Sequence, residues 1–193
     1  VSSGHSLAIT FAGNPEGIPV LFLHGGPGAG CKVEHFAYFD LTRYWVVLFD
    51  QRGCGRSLPF GELNANTSQN LIDDIESLRR LFGVSRWLVF GGSWGSYLAL
   101  VYAIHYPSHV AGLVLRSICL GRPEEHDWLY RFGASELFPE EWEAFQTFIP
   151  LSERGDLLSA YYHRLMGSLP WQAAWRWSRW AMACLELPLP VAC

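Results

Sequence analysis

The stretch Gly91-Gly92-Ser93-Trp94-Gly95 constrains the fold of this chain more than any other. It follows a short apolar run, Trp87–Gly91, and opens the helix-prone stretch SYLALVYAIH. A serine on so tight a strand-to-helix turn must take a strained backbone conformation. The flanking glycines let strand and helix approach without Cβ clashes. The serine oxygen is then displayed above the C-terminal edge of a sheet, beside a helix N-terminus that favours developing negative charge. A G-x-S-x-G alone is a weak signal. Between a strand and a helix it marks Ser93 as a candidate nucleophile rather than an incidental serine in a Gly-rich turn.

The surroundings agree. Leu7–Phe11, Val20–His24, Trp45–Asp50, Trp87–Gly91 and Val110–Arg116 read as strands, being short, β-branched or aromatic, and bounded by Gly, Pro or Asn. Three are nearly continuous apolar runs, which suits strands buried on both faces of a parallel sheet. Thr67 can cap a helix running to about Phe82, with Leu71, Ile75, Leu78, Leu81 and Phe82 on one face, the charged residues mostly elsewhere, and Gly83 as its stop. A second helix runs from about Trp94 to His105 and ends before Pro107. Strand and helix alternate, as in a doubly wound, mostly parallel α/β sheet. The texture changes after about Gly121: six of the nine tryptophans lie beyond it, Pro139-Glu140-Glu141 starts a helix, and Asp156 caps another. We therefore expect a core over 1–120 and a helical region over 121–193, with an irregular, Pro-interrupted end in LELPLPVAC.

A second motif, His24-Gly25-Gly26-Pro27-Gly28, ends the strand VLFLH. Acyl transfer through a serine needs two backbone N–H donors aimed at the oxyanion. One comes from the residue after the nucleophile, Trp94, and the other from a Gly-rich loop after an earlier strand, here Gly25 or Gly26. The rival, a phosphate-binding loop, lacks both GxGxxG spacing and a following GK[ST]. His24 reads as structural, since it precedes the serine and sits with the oxyanion donors. A third motif, Asp50-Gln51-Arg52-Gly53-Cys54-Gly55-Arg56-Ser57, follows WVVLF. Its expected role is loop architecture, with Arg and Asp bonding a Gly-kinked turn beside the site.

Composition closes off other classes. The net charge of −4 leaves no electrostatic footprint for nucleic acid or an anionic membrane. The longest apolar run, Leu98 to Ile104, is far short of the ~18 residues of a membrane span. The opening VSSGHSLAITF has neither the basic nor the apolar segment of a signal peptide, and the start at Val1 reads as a cut. Cys31, Cys54, Cys119, Cys184 and Cys193 form no C-x-x-C pair, which disfavours zinc and thioredoxin-like chemistry; free thiols in a reducing compartment are expected. No metal or cofactor is expected.

HGGPG, DQRGCGRS and GGSWGS, in this order and spacing, resemble the proline iminopeptidase (prolyl aminopeptidase) family of serine α/β-hydrolases. The likeness runs from about Leu7 to Trp180 and includes TSQNLIDDIESLRRLFGV and GASELFPEEWEAF. It implies an α/β-hydrolase fold with a helical cap over the site. It also implies release of N-terminal proline from peptides by a metal-free Ser-Asp-His mechanism, in the cytoplasm. By motif position the nucleophile falls on Ser93 and the oxyanion donors on Trp94 and the glycines Gly25 and Gly26.

The sequence departs from that pattern in two places. The triad order Ser, Asp/Glu, His places acid and base after later strands that would lie beyond Cys193. The histidines after Ser93 are His105, His109, His126 and His163. His105 and His109 flank the helix end at Pro107, and His126 and His163 belong to the helical region, so the triad Asp and His are expected to be absent and the chain inactive or nearly so. The resemblance also implies a Trp-x-x-Trp-Glu segment whose glutamate binds the substrate amine. Here Trp177-Ser178-Arg179-Trp180 is followed by Ala181, which removes an anion that would pair with a protonated amine. The WRWSRW stretch and the drift into ACLELPLPVAC together read as a frameshift, an assembly error or an early stop. The alternatives kept open are a related α/β-hydrolase acting on esters or other amides, and a non-catalytic remnant. The Trp cluster is either packing or an apolar pocket for a proline ring. Without covering strands, Val110–Arg116 is expected to be an exposed apolar edge prone to association.

Overall fold

The computed structural model describes residues 1–168 and 170–185. Five strands, β1 (Ile9–Gly13), β2 (Ile18–Leu23), β3 (Tyr44–Phe49), β4 (Trp87–Gly92) and β5 (Val110–Arg116), form one sheet in the order β1-β3-β2-β4-β5. β1 runs antiparallel to β3, and the β2–β3, β2–β4 and β4–β5 pairs are parallel. The sheet is the mostly parallel α/β sheet that the sequence pattern predicts. β1 starts two residues later than its apolar run because the Ala8 N–H is taken by Ser57 Oγ at 2.9 Å instead of a ladder partner.

The central strands are apolar throughout because both faces are covered. Leu21, Leu23, Val47, Phe49, Trp87 and Val89 point to one face, against α1 (Ser68–Leu81) and α2 (Trp94–His105). Val20, Phe22, Val46 and Leu48 point to the other, against Phe36 and Phe39 of a two-turn 3-10 segment (Val33–Tyr38) and its end. Each such side chain contributes about 1.5–3 kcal/mol when fully buried.

α1 begins as its sequence predicts: Thr67 Oγ1 accepts from the Asn70 N–H at 3.3 Å and Asn70 Oδ1 accepts from the Thr67 N–H at 3.2 Å. It ends at Gly83, whose φ of +64° suits glycine. Its buried face differs from the expected stripe. The buried arc is centred on Ile75 and takes in Ile72, Asp74 and Glu76, while Leu81 is exposed at its margin. The two acids are tolerated inside because each is paired. Asp74 receives Arg52 through two bonds of 2.5 and 2.6 Å, and Glu76 receives Arg79, Tyr102 and His109.

The chain divides into two units between Leu120 and Gly121. The second is helical: α3 (Pro123–Tyr130), α4 (Ala134–Leu137), α5 (Pro139–Thr147), α6 (Leu157–Leu165) and α7 (Pro170–Leu185). Pro139 occupies the first turn of α5, and Asp156 accepts from the Ser159 N–H at 3.1 Å to cap α6. Phe145, Ile149, Tyr161, Ala173 and Trp180 form its own core, with Phe145 and Tyr161 stacked at 4.3 Å. Leu185 is helical, as the last described residue of α7; the rest of LELPLPVAC, with Cys193, lies outside the described residues. Among the described residues no helix is long and apolar enough to cross a membrane.

Candidate active site

Ser93 stands between the last residue of β4 and the first of α2, with φ 54° and ψ −123°. That is left-handed backbone on a residue with a Cβ, which costs on the order of 1–3 kcal/mol and persists only where the surroundings fix it. They do so from both sides. The Ser93 N–H donates to the Arg116 carbonyl at 3.1 Å. Its carbonyl accepts from the Ser96 N–H at 2.8 Å and from Ser96 Oγ at 2.6 Å. A Cβ on Gly91 would strike the Gly95 carbonyl, and one on Gly95 would strike the Leu23 carbonyl, so both glycines are required by close backbone approach.

The His24–Gly28 loop runs directly over this serine. A Cβ on Gly25 would lie 3.4 Å from Ser93 Cβ and 3.9 Å from its Oγ. Gly26 has φ +118°, a conformation closed to most side chains. Trp94 opens α2, and an amide in a first helical turn has no carbonyl partner one turn back. Of the residues expected from sequence as oxyanion donors, Gly25 thus lies against Ser93, the Trp94 amide opens the helix that follows it, and Gly26 is the next residue of the same loop.

His24 is buried. Its Nε2 accepts from the Gln51 N–H at 3.0 Å, which assigns the proton to Nδ1, 2.9 Å from the Gly25 carbonyl. Burial pushes its pKa below the usual histidine value, only partly opposed by the Gly25 carbonyl and Asp50. The Asp50 carboxylate accepts from the Cys31 N–H at 2.6 Å, the Arg56 N–H at 2.9 Å and Arg56 Nε at 3.0 Å. Burial alone would raise its pKa, but those bonds hold it below the carboxylate range. Arg52, paired with Asp74, also donates to the Ala65 carbonyl at 2.8 Å. The DQRG turn therefore braces the loops by hydrogen bonds.

The family model described as alpha/beta hydrolase fold matches residues 18–178. The chain belongs to the alpha/beta hydrolase family. It is 47% identical over 186 residues to a proline iminopeptidase of Arabidopsis thaliana, covering 94% of this chain and 49% of that protein. It is 47% identical over 192 residues to the proline iminopeptidase of Xylella fastidiosa strain Temecula1, covering 97% and 61%. Among solved structures, the proline iminopeptidase-related protein of Thermus thermophilus superposes with a TM-score of 0.58 at 26% identity, covering 95% of this chain and 64% of that one. The chain spans about half to three fifths of the length of these two curated relatives.

An α/β-hydrolase serine needs a base, and the first unit's histidines are engaged elsewhere. His5 bonds the Asn64 carbonyl, His35 the Lys32 amide, His105 the Val101 carbonyl and His109 Glu76. His126 and His163 lie on α3 and α6 of the second unit. Among the described residues, no cluster of three His, Cys, Asp or Glu side chains could hold a metal ion. Of the tryptophans beyond Gly121, Trp142, Trp177 and Trp180 pack in the second core, whereas Trp128, Trp171 and Trp175 are exposed. Trp177 also borders an open cavity of about 570 Å³ with Leu158, Tyr162, His163 and Leu165, so one ring serves both packing and a pocket wall. Ala181 lies on α7.

Sequence reasoning passed over one residue. Gln51 Oε1 accepts from Trp94 Nε1 at 3.0 Å while its Nε2 donates to the His24 carbonyl at 3.0 Å. No local pattern signals this, because its partners are 27 and 43 positions away.

Proposed function

We propose that this chain carries the nucleophile and oxyanion-binding loop of a proline iminopeptidase, a serine hydrolase that releases proline from peptide N-termini. The observation that carries the reading is Gly25 packed against a strained, half-buried Ser93 at the start of α2. Identity of 47% to curated proline iminopeptidases supports the substrate class.

In this mechanism Ser93 Oγ attacks the carbonyl carbon of the N-terminal proline. The resulting oxyanion accepts from the Trp94 N–H and from a Gly25 or Gly26 N–H. Collapse expels the amine of the next residue, and water then releases proline from the acyl-serine. A base must take the serine proton and return one to the leaving amine. No histidine of the first unit is held for that task, so the 193-residue chain by itself is expected to turn over far below a normal enzymatic rate. The helical region from Gly121 onward corresponds to the cap of the resemblance. Thiols at Cys31 and Cys54, neither in a disulfide, favour a cytoplasmic setting.

The second reading, an α/β-hydrolase acting on esters or other amides, is favoured by Ala181, which offers no charge to a substrate amine. The two separate in one assay. Proline arylamide and a simple aryl ester are offered to the protein and to Ser93→Ala. Slow arylamide cleavage that disappears in the variant supports the iminopeptidase reading, whereas ester cleavage alone supports the second. Cleavage of either at an undiminished rate by Ser93→Ala removes Ser93 as nucleophile.

A further inference from the structure

We propose that Gln51 is a positioning residue that sets the spacing between the two halves of the oxyanion-binding site; this rests on the serine-hydrolase reading above. One half, Gly25 and Gly26, follows His24 on the loop after β2. The other, the Trp94 N–H, belongs to the first turn of α2. No covalent segment shorter than the intervening chain joins them, and an oxyanion hole works only if its two donors are held about one oxygen apart.

Gln51 spans that gap with three bonds. Its backbone N–H donates to His24 Nε2, its side-chain Nε2 donates to the His24 carbonyl, and its side-chain Oε1 accepts from the Trp94 indole. The geometry fixes the direction of every bond: the indole can only donate and the carbonyl can only accept, so the amide cannot be flipped. A glutamate would set a second acceptor against the His24 carbonyl, and a leucine would leave both ends unpaired. Gln51 is 3% exposed, so water does not readily replace the lost partners. The Trp94 ring is itself fixed by stacking on Tyr97 at 4.9 Å. A pull on the indole is therefore transmitted to the residue whose amide faces the oxyanion. Gln51 touches neither nucleophile nor substrate in this arrangement.

The test reads the oxyanion site directly. A fluorophosphonate probe reacts with Ser93 Oγ: the O–P bond forms, fluoride leaves, and the phosphoryl oxygen occupies the oxyanion site during attack. Imidazole in the buffer takes the serine proton, so the rate does not depend on any histidine of the chain. Ser93→Ala is the blank. Gln51→Leu and Gln51→Glu are expected to label at least tenfold more slowly than the parent while melting within a few degrees of it. Trp94→Phe, which removes the same bond from its other end, is expected to slow labelling similarly. Gln51→Leu combined with Trp94→Phe should be no slower than Gln51→Leu alone, because the bond that Trp94→Phe removes is already lost in it. The Trp94 indole N–H resonance, identified by its loss in Trp94→Phe, should move in Gln51→Leu. Parent-rate labelling by a folded Gln51→Leu overturns the inference while leaving the hydrolase reading intact. Additive slowing in the double variant, or an unmoved indole resonance, also overturns it. No labelling of the parent at Ser93 overturns the hydrolase reading, and the positioning role falls with it. If both Gln51 variants fail to fold, Trp94→Phe at the parent rate overturns the inference by itself.

Discussion

At the residue scale, Ser93 trades stability for display. Its φ of 54° is strained for serine but ordinary for glycine. Ser93→Gly is therefore expected to raise stability by about 1 kcal/mol in urea unfolding, because relief of strain outweighs the added chain entropy of the unfolded state. Ser93→Ala, which keeps the Cβ, should gain nothing comparable. Equal or lower stability of Ser93→Gly would show that the turn is not strained. The residues most legible in the sequence are those whose role is written in the backbone: Gly91, Gly95 and Gly25 are there because a Cβ would meet backbone or Ser93. Gln51 and the pairing of His24 were not legible. A polar side chain states what it can bond but not what the fold brings to it.

At the element scale, α1 shows where pattern reading stops. Periodicity places the helix correctly and Thr67 and Gly83 bound it, yet Asp74 and Glu76 lie inside because Arg52 and Arg79 arrive from elsewhere in the turn and the helix. The same burial makes a titration prediction. Burial alone would raise the pKa of Glu76, but hydrogen bonds from Arg79 and Tyr102 outweigh it and bring it from 4.5 down to about 2. The folded carboxylate thus binds its proton more weakly than the unfolded one. Its contribution, about 3 kcal/mol from a shift of this size, is fully present above pH 4.5 and is lost as pH falls from there towards about 2. Unfolding free energies of the parent and Glu76→Gln should therefore differ most above about pH 5 and converge on acidification. A gap that stays constant down to about pH 3 would mean that Glu76 is not held ionised by its neighbours. Tyr102 and His109 bring α2 and the turn after it to the same carboxylate, so the loss should loosen how the two helices pack on the sheet.

At the scale of the whole molecule, the sheet has an unshielded side. β5 pairs with β4 along one edge, and among the described residues no strand pairs with the other. Leu113, Val114, Ile118 and Leu120 in and after it are 36–60% exposed. Parallel strands are ordinarily covered on both faces, and an open apolar edge offers unpaired N–H and C=O groups to any second copy. The 193-residue chain, purified alone, is expected to self-associate, with an apparent mass that rises with concentration in size-exclusion chromatography with light scattering. Val114→Lys should shift it toward monomer, since a charged side chain on the edge strand blunts pairing. A sharp monomer peak, unchanged across the micromolar range, would refute the expectation. Association should also reach the site. β5 ends at Arg116, whose carbonyl holds the Ser93 N–H, and the Arg116 side chain lies against Gly92. Pairing that tilts β5 would move one of the two supports of the strained turn. Labelling of Ser93 by the fluorophosphonate should accordingly slow per molecule as the parent is concentrated and hold steady in Val114→Lys. A rate independent of concentration in an associating parent would show that the elbow is held by Ser96 and the two glycines alone.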